Sequence, residues 1–157
     1  MKISLSTLAL GLAVAFGAPA MAANTGTVSQ VGYNNDAGIT QAYNDSGMSS
    51  ISQNGTYNIA TSNQQGNESA SSKITQSDYN NSASVNQTNN DDLAKSTVYQ
   101  DGTYNVAKVN QWDGENVTAT ATQVGYNNYA NISQTGSNQT ATSYQSGTYN
   151  VANISQK

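Results

Sequence analysis

Glutamine recurs along this chain at a spacing that few folds can use. It stands at Gln30, Gln41, Gln53, Gln64, Gln76, Gln87, Gln100, Gln111, Gln123, Gln134, Gln145 and Gln156, so the gaps run 11, 12, 11, 12, 11, 13, 11, 12, 11, 11 and 11. Two gaps make one repeat, and six copies fill the chain from Gly26 to Gln156. The best preserved units are QVGYNNDAGITQ from Gln30, QNGTYNIATSNQ from Gln53, QDGTYNVAKVNQ from Gln100, QVGYNNYANISQ from Gln123 and QSGTYNVANISQ from Gln145. Each reads Q-x-G-x-x-N-x-A-x-x-x-Q. The copy from Gln76, QSDYNNSASVNQ, keeps all of this except the glycine, which is Asp78. Fixed-period self-similarity of this length is the mark of a stacked repeat architecture.

Periodicity inside a copy identifies the element. Two residues before the first glutamine stand Val28, Ile51, Ile74 and Val98, preceded at the same interval by Ser49, Ser72 and Ser96. Before the second glutamine stand Ile39, Val85, Val109, Ile132 and Ile154, preceded by Ala37, Ala83, Ala107, Ala130 and Ala152. Period two is the period of a strand. A repeat therefore reads as a strand, a tight Gly-x-x-Asn bend, a second strand and a turn rich in Asn, Asp, Gly and Ser, such as Tyr43 to Gly47. Stacking six strand-arc-strand units at about 4.8 Å gives an all-β solenoid roughly 29 Å long. Glutamine then lies over glutamine in two inward columns, whose amides donate to one copy and accept from another, so buried polar groups need not go unpaired. A third column, Asn35, Asn58, Asn81, Asn105, Asn128 and Asn150, is placed to pin the bend. Gly32, Gly55, Gly102, Gly125 and Gly147 give that bend its backbone freedom.

Composition removes most other readings. The 157 residues contain 22 Asn and 14 Gln but no His, Cys or Arg, and the net charge is −4. Thiol and imidazole catalysis, zinc and haem ligation and disulfides are excluded, and neither a nucleic-acid partner nor a cofactor is expected. Asp91 and Asp92 are adjacent, so their carboxylates diverge and suit a solvated turn better than acid/base or metal work. Thr118, Thr120 and Thr122 make one short array of the kind an ice-binding solenoid repeats on every coil. Trp112 and the ten tyrosines fall mostly at bends or outward positions, open both to aromatic ladders and to plain strand propensity.

Residues 1–22 read as a bacterial secretory signal peptide. Lys2 precedes an apolar stretch from Leu5 to Ala18, too short to span a membrane, and an Ala20-Met21-Ala22 cleavage site follows. Cleavage removes four of the five leucines and the one phenylalanine, leaving too little apolar side chain for an ordinary core. The repeats are then assigned to residues 23–48, 49–71, 72–95, 96–118, 119–140 and 141–157. With uncapped repeats at either end, each edge is expected to be a template for end-to-end growth.

The tandem pattern Ser-x-Ile/Val-x-Gln-x-Gly-x-x-Asn-x-Ala-x-x-x-Gln, behind a secretory signal, resembles the curlin repeat of curli, a functional amyloid of bacterial biofilm matrices. The bends Gly-Thr-Tyr-Asn and Gly-Tyr-Asn-Asn differ from the common Gly-x-Gly-Asn of that family. The resemblance implies export through an outer-membrane secretion channel with a periplasmic chaperone. It also implies polymerisation on a membrane-tethered nucleator subunit into a cell-surface homopolymer serving the biofilm matrix, cell aggregation and adhesion. A major subunit is the leading reading; a nucleating minor subunit and a monomeric β-solenoid adhesin or ice-binding module are the alternatives. A secreted amyloid must cross the periplasm unpolymerised. Asp78 at a bend, and Asp91 and Asp92 in a turn that also lengthens the spacing to 13, are expected to act as gatekeepers that slow stacking.

Overall fold

Strict alternation of inward and outward side chains governs the chain wherever it is extended. The computed structural model describes residues 23–157, so the expected signal peptide lies outside the described residues. Twelve strands follow one another: β1 (Thr25–Tyr33), β2 (Asp36–Ala42), β3 (Ser46–Thr56), β4 (Ile59–Gln65), β5 (Ser69–Tyr79), β6 (Ser82–Thr88), β7 (Leu93–Thr103), β8 (Val106–Trp112), β9 (Val117–Tyr126), β10 (Tyr129–Thr135), β11 (Thr140–Thr148) and β12 (Val151–Gln156). Odd strands form one parallel sheet in the order β1-β3-β5-β7-β9-β11, and even strands form a second, β2 to β12, in the same progression. One odd and one even strand make a coil, and the six stacked coils that the repeat predicts form a β-solenoid.

Register follows the repeat residue by residue. Gln30 pairs with Gln53, Gln76 with Gln100 and Gln123 with Gln145, while in the other sheet Gln41 pairs with Gln64 and Gln134 with Gln156. A one-residue slip would turn every inward side chain to water, so the pattern itself locks the register. The extra residue before Gln100 is taken up in the turn between β6 and β7, and the ladder crosses it unbroken.

The interior is narrow and half polar. β3, β5 and β7 send Ser, then Ile or Val, then Gln inward, as in Ser49, Ile51 and Gln53, while β9 sends Ala119, Ala121 and Gln123; most even strands send Ala, Val or Ile, then Gln, as in Ala83, Val85 and Gln87. Ile51, Ile74, Val98, Val85, Val109 and Ile132 form the apolar centre, with alanines facing them. Two apolar columns are interrupted by serine: Ser62 stands in line with Ile39 and Val85, and Ser143 in line with Ala121. The buried hydroxyls of Ser49, Ser62, Ser72, Ser96 and Ser143 have no hydrogen-bond partner among the described residues.

Candidate functional site

The glutamine columns are directional. In the odd sheet each Nε2 donates to the Oε1 of the next coil: Gln30 to Gln53 at 2.7 Å, Gln53 to Gln76, Gln76 to Gln100 and Gln100 to Gln123 at 2.8 Å, and Gln123 to Gln145 at 2.9 Å. The even sheet repeats this with Gln41 to Gln64 at 2.7 Å, Gln64 to Gln87 at 2.9 Å, Gln87 to Gln111 at 2.8 Å, Gln111 to Gln134 at 3.0 Å and Gln134 to Gln156 at 2.9 Å. The second Nε2 hydrogen reaches a backbone carbonyl across the interior, as from Gln76 to Ile59 at 3.0 Å. Every interior amide is thus satisfied on both sides. At the first coil the Oε1 atoms of Gln30 and Gln41 have no donor among the described residues, and at the last coil Gln145 and Gln156 each keep one N–H unused.

Asparagine closes the bend. The Nδ2 of Asn35, Asn58, Asn81, Asn105 and Asn128 donates to the bend carbonyl one coil further on, at Gly55, Asp78, Gly102, Gly125 and Gly147, over 2.7–3.1 Å. In return each Oδ1 accepts the backbone N–H of the next asparagine, up to Asn150 from Asn128 at 3.1 Å. This draws the backbones together. A Cβ on Gly32, Gly55, Gly102 or Gly125 would sit inside the carbonyl oxygen of the following coil, whereas at Gly147 the nearest atom is Asn150 Nδ2 at 3.6 Å. All five glycines have φ between 110° and 140°.

A family model for the curlin associated repeat matches residues 125–157, from the bend of the fifth coil through β10 to the end of the sixth. Over those residues the chain carries a curlin associated repeat. The preceding coils carry the same columns in the same register. No curated protein and no solved structure matches it. Curlin repeats and the β-solenoid they form belong to structural rather than enzymatic families.

The bend differs where Asp78 stands in place of glycine. Asp78 pairs in register with Gly55 and Gly102, but its φ is 72°, a left-handed value well below the 110–140° of the bend glycines. Asp91 and Asp92 lie exposed in the turn between β6 and β7. The N–H of Asp91 donates to Gly114 O at 3.2 Å, as those of Asp45 and Glu68 do to Asn67 and Asn90 at 3.0 Å, so the three acids occupy one turn position in successive coils. Glu115, following Gly114, continues the row.

Two columns escape a reading of the repeat alone. Asn44, Asn67 and Asn90 stack at the turn, each Nδ2 donating back to the previous Oδ1 at 2.9 and 2.8 Å, until Gly114 ends the series. Their signal is an asparagine three residues after each of Gln41, Gln64 and Gln87. Tyr33, Tyr57, Tyr79, Tyr104, Tyr126 and Tyr149 form an edge-to-face ladder along the bend, with centroids 5.6–5.8 Å apart and planes at 79–88°. Strand propensity alone does not account for it. The Thr118 and Thr120 array lies beside Thr140 and Thr142 of the neighbouring coil, and Trp112 is exposed on the outer face of the even sheet.

Proposed function

We propose that this chain is a secreted structural subunit that adds end to end into an extracellular curli-like amyloid fibre, contributing to biofilm matrix, cell aggregation and surface adhesion. The observation that carries the reading is the common direction of the amide columns. The first coil offers two glutamine acceptors and the Gly32 carbonyl; the last offers two glutamine donors and the Asn150 amide. A second copy placed head to tail satisfies all of them, whereas head to head sets acceptor against acceptor. Each rung then adds hydrogen bonds to groups already ordered in the end coil, so growth is favourable once a first stack exists. Export through an outer-membrane channel, chaperoning in the periplasm and nucleation on a membrane-tethered subunit complete the reading on family grounds.

Residues 23–157, refolded from denaturant at micromolar concentration, are expected to show a lag and then a rise in thioflavin fluorescence. Gly147→Ala tests the end specifically. Within the chain its Cβ meets no backbone and carries only the strain of φ 110°, but across a head-to-tail joint it would also meet the Gly32 carbonyl of the incoming copy, as a Cβ at Gly125 would meet Gly147. The variant should keep its strand circular dichroism as a monomer and grow at least tenfold more slowly. A parent that stays monomeric by sedimentation, with flat fluorescence, would reject the fibre reading in favour of a monomeric solenoid.

A further inference from the structure

The tyrosine ladder alternates between two backbone positions. In odd coils the ring is on the residue before the left-handed position, at Tyr33, Tyr79 and Tyr126; in even coils it is on the left-handed residue itself, at Tyr57, Tyr104 and Tyr149, with φ 57–59°. Rings at one position in successive coils would lie directly over one another at about 4.8 Å, face to face, the least favourable arrangement of two quadrupoles. Alternation offsets them into edge-to-face pairs instead. The ladder therefore has a phase with a period of two coils, twice the period of the backbone.

An even number of coils returns the phase to its start. Tyr149 ends the ladder on the even position, and in the chain an even-position ring is followed by an odd-position ring: Tyr57 by Tyr79 at 5.7 Å, and Tyr104 by Tyr126 at 5.8 Å. Tyr33 is an odd-position ring. Both end rings are about two-thirds exposed, Tyr33 at 67% and Tyr149 at 65%, while the four between them are at 39–41%. Each end thus lacks the cover that every interior ring receives.

We propose that the tyrosine ladder phases the joint between copies: the last coil takes as its partner the first coil of a second copy, with Tyr149 packed edge to face on the partner copy's Tyr33, so that the ladder runs on unbroken. This rests on the end-to-end assembly proposed above and adds to it a selection rule. A coil presenting its ring at the even position, from a slipped copy or a related subunit, meets Tyr149 in the wrong phase. An edge-to-face pair contributes about 0.5–1.5 kcal/mol, so a mis-phased end should elongate about two- to tenfold more slowly than a matched one.

Brief photo-oxidation of grown fibres with a ruthenium tris-bipyridyl sensitiser and persulfate maps the joint. Each phenol loses one electron and one proton to the oxidant, and the two radicals join through a carbon–carbon bond ortho to the hydroxyls, giving dityrosine that survives digestion and is located by mass spectrometry. Tyr33 and Tyr149 are five coil steps apart in one chain, about 24 Å, so a link between them forms only between copies. The expected map contains Tyr33–Tyr149 together with the internal pairs Tyr57–Tyr79 and Tyr104–Tyr126. Tyr33→Phe, which keeps the ring but not the phenol, should remove that link while the internal links remain. Tyr33–Tyr33 or Tyr149–Tyr149 links, or internal links with no Tyr33–Tyr149, would overturn the phased joint while leaving fibre formation standing. A chain that forms no fibre at all would overturn both. Thr148→Tyr with Tyr149→Asn moves the last ring to the odd position and should slow elongation by the factor above; an unchanged rate would also overturn the proposal.

Discussion

At the bend rim every coil closes on the same frame, an asparagine reaching the next carbonyl and a tyrosine in the ladder; at the turn rim the closing segment differs from coil to coil. The bend asparagine column has six members from Asn35 to Asn150, whereas the turn column holds Asn44, Asn67 and Asn90 and stops at Gly114. Spacing between glutamines is 11 across every bend, but 11, 12 or 13 across the turns. The acids follow the looser rim: Asp45, Glu68, Asp91, Asp92, Asp113 and Glu115, six of the nine, lie in turns. Where backbones touch, side-chain identity is dictated by contact. Where they do not, the chain is free to vary and to carry charge. The one exception at the bend, Asp78, comes at a φ of 72°.

Glycine substitution on the two rims should separate them most. Gly55→Ala drives a Cβ into the Asp78 carbonyl at φ 140°, so strain and overpacking together should lower monomer stability by about 3–5 kcal/mol. Gly66→Ala, in a turn at φ 64°, meets only the Asn89 side-chain oxygen at 2.8 Å, which can rotate away, and should lose about 1 kcal/mol. Urea unfolding of freshly refolded monomer compares the two. Equal losses would mean that backbone contact does not distinguish the rims.

The gatekeeper substitutions come next, and salt tells the rims apart. Asp78→Gly removes left-handed strain of about 1 kcal/mol and should shorten the lag at any ionic strength. Asp91→Asn with Asp92→Asn acts on charge. At about 4.8 Å in water, neighbouring carboxylates repel by about 1 kcal/mol or less, and about 0.15 M salt screens beyond roughly 8 Å. Salt should therefore shorten the lag of the parent and of Asp78→Gly but leave the turn double mutant nearly unchanged. Thioflavin time courses at equal concentration decide it. An equal or longer lag for the triple mutant would remove these three aspartates from the control of assembly.

What could be read in advance divides along the same line. The two glutamine columns, the bend asparagines and the strand alternation were legible because each recurs in every copy at a fixed offset, and parallel in-register stacking converts that offset directly into contact. The turn asparagines were not, since three copies followed by Gly114 and Ser137 do not make a period. Ser62 and Ser143 fall in apolar columns whose chemistry gives no warning of them. The tyrosine ladder hides for a subtler reason. Its members alternate between two repeat positions, so a position-by-position reading sees two sparse sets, and only the alignment of bends in space merges Tyr33, Tyr79 and Tyr126 with Tyr57, Tyr104 and Tyr149.

The smallest expected effect is the bend rim's response to alkali. The Tyr79 phenol is held above its ordinary value of 10.0, first by the neighbouring charge of Tyr104 and then by burial and the hydrogen bond between them; Tyr126 is raised in the same way by Tyr149. A phenol raised on folding stabilises the fold fully below pH 10 and loses that contribution as pH climbs through the raised value, because the unfolded chain ionises first. Stability should accordingly fall in a shallow step above pH 10, matched by a late component in the ultraviolet titration of phenolate. Tyr99 is the control away from the ladder, raised chiefly by Asp101, whose carboxylate accepts its hydroxyl at 3.4 Å. Tyr104→Phe should return Tyr79 toward 10.0 and leave Tyr99 where it is. If Tyr104→Phe moved both alike, or neither, the coupling along the bend rim would not be the source of the shift.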